Sequence, residues 1–479
     1  MQLLHRNADI SQAGAQTQSS FSVAAPLIGA ALVTGVSGGF LFAAILTLST
    51  LFHFSGVWWY RMAQAHGHLQ LYGWAGLFVL GVAFHFLPRL RGAPLQKPEY
   101  LKTLVPIFIG SLFLRAVGQT FLSGTNATVA SFMVIFSAIL EFAAITGFIY
   151  LFGISIVQGP QLSEKRAFAS ISILLAGNAI ALEAAAIVNL AAVFQKDLYA
   201  NGIYPYTFDQ VNVTLGLLGF LVPMAIAMSA QSLPMYAGLN AFPRKMMLVL
   251  SVIYEMGLLL EIIGLFQGNI SVQGWGYVCI GGSAITFIGV FMQMMMQRGK
   301  TPQKIANLAK DPVKLQANYR NQLSRQKQSY GPFVGLVASA YMWALAGAVM
   351  TIIIAAGLIL QQTFWLPIDA ARHSFTMGFI AMLIGGISAR MLPGFSGGML
   401  RSSKNITAML IVGNLAAATR VIAVLLPVAY ISSGFGYWVY AIMFGLAGPL
   451  GLTYALLLLI NLWPAIFPNT KKLLPVRPA

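Results

Sequence analysis

Two of the six histidines in this 479-residue chain stand one residue apart in Ala65-His66-Gly67-His68-Leu69, at the mouth of a long apolar run. A third, His373, follows Arg372 at the start of another such run. Imidazole is the commonest metal-binding side chain and titrates near neutrality. In apolar sequence an ionisable group is costly, so it marks either a working site or a partnered one. Cys279 is the only cysteine, which excludes an internal disulfide, a CxxC metal site and the covalent attachment of a c-type haem. Any redox centre must therefore be held by histidine.

The elements that position these histidines are read from composition. With 58% hydrophobic and 8% charged residues and a mean hydropathy of +0.77, the chain is too apolar for a soluble domain. Apolar runs fall at 24–52, 66–88, 101–122, 127–157, 166–195, 207–233, 244–266, 273–296, 332–360, 368–392, 405–428 and 436–463, each long enough for a membrane-spanning helix. The fold class expected is an all-α integral membrane protein of about twelve transmembrane helices. Its net charge of +17 lies in loops and not in a nucleic-acid-binding patch. Arg89, Arg91 and Lys97 follow the second run, Lys165 and Arg166 precede the fifth, and Arg244 and Lys245 precede the seventh. Eight Lys/Arg fill 297–330, Arg401 and Lys404 precede the eleventh run, and Lys471, Lys472 and Arg477 end the chain. Because basic loops stay inside, both termini are expected in the cytoplasm of a bacterial-type inner (plasma) membrane. The first twenty residues lack a signal-type apolar core, so the first span is expected to remain as an anchor. Segment 297–330 reads as a basic solvated linker beside anionic lipid.

The second, sixth and tenth runs end in "FLPRLRG", "SLPMYAG" and "MLPGFSG", with prolines at 88, 234 and 393. These offsets align His68 with Thr214 and His373, and Arg115 with Glu261 and Arg420. The repeat predicts three four-helix units, about 24–157, 166–296 and 332–463, in a pseudo-threefold arrangement with helices two, six and ten at the centre. His68 and His373 then occupy equivalent depths on equivalent helices, the placement of two imidazoles clamping one haem. Small residues in "GWAG" and "MGFIAMLIGG" give the macrocycle room, and Arg372 and Arg61 are candidates for its propionates, with Trp58 and Trp59 beside them. Arg115, Glu261 and Arg420 are expected to form an intramembrane charge cluster, since each would otherwise face hydrocarbon. Proton relay or metal ligation by Glu141, Glu183, Glu255 and Glu261 are the alternatives to pairing. His53 and His66 are candidates for copper or a second haem, with ordinary hydrogen-bonded imidazoles as the alternative. His85 reads as part of a polar layer at the helix end, His5 as solvated, and the methionines at 292 and 294–296 as a packed helix end.

A twelve-helix chain with histidines on helices two and ten resembles the catalytic subunit of haem-copper oxidases, cytochrome oxidase subunit I. The segments "HGHLQLYGWAGLFVLGVAFHFLP" and "RHSFTMGFIAMLIGGISARMLPGF" resemble more closely the NnrS family of haem- and copper-containing membrane proteins. That resemblance implies a redox or nitric oxide (nitrosative stress) response, a non-covalent b-type haem, and a quinol or cytochrome electron donor. It would assign His68 and His373 as low-spin haem ligands and His66 as a candidate ligand of a second centre. The oxidase pattern is broken at helices six and seven, which hold no histidine, so a three-histidine copper site cannot be assembled there. Three function classes remain: a haem protein of the NnrS kind, a divergent nitric oxide or oxygen reductase, and a transporter. Parallel repeats and matched histidines count against the transporter.

Overall fold

The structure, a computed structural model, describes residues 21–121, 127–162, 166–195, 198, 202–298, 311–362 and 366–468. His5, Lys165, Lys471, Lys472, Arg477 and the first part of the linker lie outside the described residues. Among those described there is no strand, and twelve helices are long and apolar enough to cross a membrane. They are α1 Phe21–Leu51, α2 Val57–Arg91, α3 Pro98–Thr120, α4 Thr128–Val157, α5 Ser172–Ala192 and α6 Tyr206–Ala237. The rest are α7 Arg244–Gln267, α8 Ile270–Met296, α9 Phe333–Leu360, α10 Ile368–Ser396, α11 Ser403–Leu425 and α12 Gly434–Ile466. Even the shortest, at 21 residues, spans about 30 Å of hydrocarbon at 1.5 Å per residue.

Burial separates the helices into two classes. The most apolar stretches of α2, α6 and α10 are 94, 83 and 83% buried, against 33–44% for the other nine. Three helices therefore form the centre, and the rest turn one face to lipid with side chains such as Phe113, Phe132, Phe136, Ile180 and Phe266. Around the outside, α3 packs on α4, α4 on α5, α5 on α7, α7 on α8, α8 on α9, α9 on α11, α11 on α12 and α12 on α1. This order advances by four helices and repeats.

Local backbone repeats with it. Each central helix widens into π-helical turns at Leu69–Gly76, Leu215–Leu221 and Ser374–Ala381. These segments begin one residue after His68, Thr214 and His373. π-helical turns are rare and concentrate at functional sites. Each central helix then passes through its proline and stops at a left-handed glycine, Gly92 (φ +75°), Gly238 (+68°) and Gly397 (+73°). A β-carbon there would clash with the following carbonyl, so glycine is the natural stop signal.

α1 has a π-helical stretch of its own, Gly35–Phe40. A β-carbon on Gly35, Gly38 or Gly39 would come within about 3 Å of Trp74, Leu69 or Gln70 of α2. These glycines let the two backbones meet closely, as small residues do between membrane helices. The described part of the linker includes a helix, Pro312–Tyr330, none of whose residues is buried. Asp311 caps it by accepting from the Lys314 backbone N–H (2.9 Å), and the Tyr319 hydroxyl donates to the Gly238 carbonyl (2.8 Å), docking the helix on the end of α6.

Candidate functional site

A cleft of about 370 Å³ lies among α1, α2, α10, α11 and α12, with Val213, Leu217 and Leu221 of α6 closing one side. Its polar lining includes His66 and Gln70 from α2, Asp369, Arg372 and His373 from α10, and Arg420 from α11. Its size falls within the roughly 300–1,000 Å³ of small-molecule and cofactor sites.

Both histidines in the cleft are held by the same ring atom. His66 Nδ1 donates to the Gly39 carbonyl at 2.8 Å, a contact made possible by the glycine-rich approach of α1. His373 Nδ1 lies 3.0 Å from the Asp369 carbonyl and 3.1 Å from its carboxylate, one helical turn away. A carbonyl oxygen carries no proton, so each Nδ1 must bear the N–H, and the neutral ring then has its lone pair on Nε2. The other carboxylate oxygen of Asp369 accepts from Arg420 at 2.6 Å. Arg420 also stacks 4.7 Å over the Phe444 ring. His66, His373, Asp369 and Arg420 all line this cleft. Arg372 donates to Gln210 at 2.7 Å. Gly67, between the two histidines of α2, lines the cleft, and a β-carbon there would meet nothing within 4 Å.

His68 faces away from this cleft. Its Nε2 lies 2.9 Å from Glu141 of α4, with both side chains at most 3% exposed. The same carboxylate oxygen accepts from Asn189 of α5 at 3.1 Å, and Asn189 accepts from Arg115 of α3 at 2.6 Å. Arg115 further donates to Gln119 (2.8 Å) and stacks 3.6 Å over Tyr204. Gln119 in turn donates to Gln64 (3.0 Å), which accepts from the Tyr204 backbone (2.8 Å). The result is a buried polar network joining α2, α3, α4 and α5, in which His68 Nδ1 and Glu141 Oε1 are left without a hydrogen-bond partner.

The sequence-based pairing of His68 with His373 is therefore not what the structure brings together; His66 and His373 share the cleft. Residues two apart on a helix differ by about 200° in direction, so His66 and His68 cannot serve one pocket. Arg115, Glu261 and Arg420 all point inward, but they do not converge. Arg115 reaches Glu141 through Asn189, Arg420 pairs with Asp369, and Glu261, 0% exposed, lies beside Tyr277 with neither carboxylate oxygen in hydrogen-bond geometry. Arg372 is at the cleft, whereas Arg61 reaches the Thr120 carbonyl at 3.5 Å. His53 is exposed and its Nδ1 lies 3.1 Å from the Tyr437 hydroxyl, outside the cleft lining. His85 is buried between the rings of Phe21 and Phe395. Glu183 accepts from Thr146 at 2.7 Å, and the Glu255 carboxyl packs against Gly177.

Sequence reasoning missed Asp369, although its place one turn before His373 in "IDAARH" is a readable signal. Asn189, Gln64 and Gln119 carried no comparable signal, because an isolated amide in an apolar helix does not disclose its partner. Among the described residues no three His, Cys, Asp or Glu side chains converge as a metal site. No protein-family model matches the chain, and no curated protein matches it.

Proposed function

We propose that this chain is a haem-carrying membrane protein whose cleft takes a b-type haem between His66 of α2 and His373 of α10. The observation that carries the reading is the matched anchoring of these two imidazoles, each fixed through Nδ1 with its lone pair on Nε2 beside one cleft. Two imidazoles without a third protein ligand suit a metal that brings its own equatorial ligands, as haem iron does, better than a bare copper ion. Arg372 and Arg420 would supply positive charge for propionates, Gly67 would leave clearance for a flat ring, and Asp369 orients His373 by holding its Nδ1. When bound, haem supplies one-electron exchange or capture of a diatomic ligand.

The resemblance to NnrS proteins directs this chemistry toward a redox or nitric oxide response in a bacterial-type inner membrane. The basic loops would put the histidine end of α2 and α10 on the outer side, accessible to a quinol or cytochrome donor. If His66 and His373 both held a haem, uptake of nitric oxide would require one of the two side chains to let go. His66, anchored by one backbone bond, is expected to yield before His373. Purified protein should show a low-spin haem spectrum that changes on dithionite reduction and on exposure to nitric oxide. Absence of haem from protein made in haem-replete cells, and failure to take up added haem, would overturn the reading. Sustained consumption of nitric oxide or oxygen with a reduced donor would favour a reductase instead.

A further inference from the structure

A second cavity, of about 70 Å³, lies between the three central helices and away from the histidines. It is built from equivalent positions of the repeat: Phe78, Met224 and Leu383 form one layer, Val79, Ala225 and Ile384 the next, and Val82, Met228 and Ile387 the third. Where α2 and α10 place Val79 and Ile384, α6 places only Ala225. α6 contacts both α2 and α10, and the side-chain volume missing at Ala225 contributes to the void among them. Its wall is almost entirely carbon. Ser229, Ser232 and Ser388 also line it; the Ser229 and Ser232 hydroxyls are covered and have no hydrogen-bond partner, and Ser388 donates to the Gly385 carbonyl at 3.3 Å. Apolar cavities of this kind stay dry, because water gains too few hydrogen bonds inside them, and they take small apolar solutes; about 150 Å³ accepts benzene or xenon. Half that volume excludes a benzene-sized molecule and admits a diatomic one. Ile380 lines both this cavity and the cleft of His66 and His373, so a single side chain separates the two.

We infer that the axis of the three central helices holds a binding site for one small uncharged apolar gas molecule, such as nitric oxide or dioxygen, stored one side chain away from the cleft. Gas binding rests on the cavity alone; its use as a reservoir rests on the proposed haem.

Xenon serves as the probe. Diffraction from xenon-pressurised crystals of the full chain should show one xenon atom bounded by Val79, Ala225 and Ile384. Ala225→Leu, which restores the missing volume, should abolish that site while leaving any xenon in the cleft in place. Val79→Leu fills the same layer and covers the case in which Ala225→Leu fails to fold. Ordered water, an acyl chain of lipid or detergent in the cavity, or no xenon there in the pressurised crystals would each overturn the assignment. In haem-loaded protein, Ala225→Leu should change carbon monoxide rebinding after a flash at least twofold. A filled xenon site with unchanged rebinding overturns the reservoir role, and absence of haem with xenon bound overturns only the cofactor reading.

Discussion

The two sides of α2 solve opposite problems with the same side chain. On one side His68 is closed into a network of carboxylate, amides and guanidinium with almost no exposure. On the other, two residues earlier, His66 is tied by one bond to α1 and opens onto a cleft of about 370 Å³. Each imidazole is anchored through one ring nitrogen; His68 is paired with a buried carboxylate and has no cleft beside its other nitrogen, whereas His66 has a cleft beside its own, the arrangement that leaves room for a ligand. The difference lies in what the neighbouring helices bring, Glu141 and Asn189 on one side and glycines and a second anchored histidine on the other.

The largest test exchanges the two roles. His66→Ala and His373→Ala should each abolish the low-spin haem spectrum while the protein still folds. His68→Ala should leave that spectrum in place. Loss of the spectrum in His68→Ala, with His66→Ala unaffected, would reverse the comparison.

The converse holds for stability. Removing one partner of a buried pair leaves the other uncompensated, at about 3–5 kcal/mol, so His68→Ala should markedly lower the unfolding midpoint in detergent. Glu141→Gln keeps a hydrogen-bonding group and should cost less, about 1–3 kcal/mol. An unchanged midpoint in both would show the network to be incidental.

How far the sequence disclosed this arrangement follows from what each feature depends on. Twelve spans and three central helices were legible because hydrophobic length is local and the Pro/Gly endings recur at 88–92, 234–238 and 393–397. The ligand pair was not, for a geometric reason. In a pseudo-threefold ring, equivalent residues point the same way relative to their own units, so an interface between units is head to tail and joins non-equivalent positions. His68 and His373 each stand one residue before the π-helical turns of their helix and yet do not meet; the cleft joins His66 of α2 to His373 of α10. The same logic separates Arg115, Glu261 and Arg420 around the ring. Asp369 was within reach of sequence reasoning, whereas Asn189 and Gln119 depend on helix rotation, which no local pattern in this chain encodes.

A smaller effect sharpens the cleft side of the comparison. Asp369 holds both His373 and Arg420, and loss of a group that orients a metal-binding histidine typically costs about 10–100-fold in metal affinity or activity. Asp369→Asn keeps the backbone carbonyl contact to His373 but loses the charge. Haem retention, followed by transfer to apomyoglobin, should weaken by about that factor, with the unfolding midpoint little changed. Full loss of the spectrum would promote Asp369 to an essential role, and no change would remove it from the site.

The smallest effect tests whether both sides hang on one scaffold. Gly92, Gly238 and Gly397 end the three central helices with φ near +70°, a conformation that costs a non-glycine residue about 1–2 kcal/mol. Alanine at each should therefore lower stability by a similar amount without altering the haem spectrum, because the glycines lie at the ends of α2, α6 and α10 opposite the histidines. Gly238 should stand out: a β-carbon there would lie 2.6 Å from the Tyr319 hydroxyl, which donates to the Gly238 carbonyl and docks the linker helix. Gly238→Ala should add faster proteolysis within 312–330 to the shared loss, and Tyr319→Phe should reproduce the proteolysis alone. Equal proteolysis in all three glycine variants would mean that the linker senses general loosening of the bundle and not the end of α6.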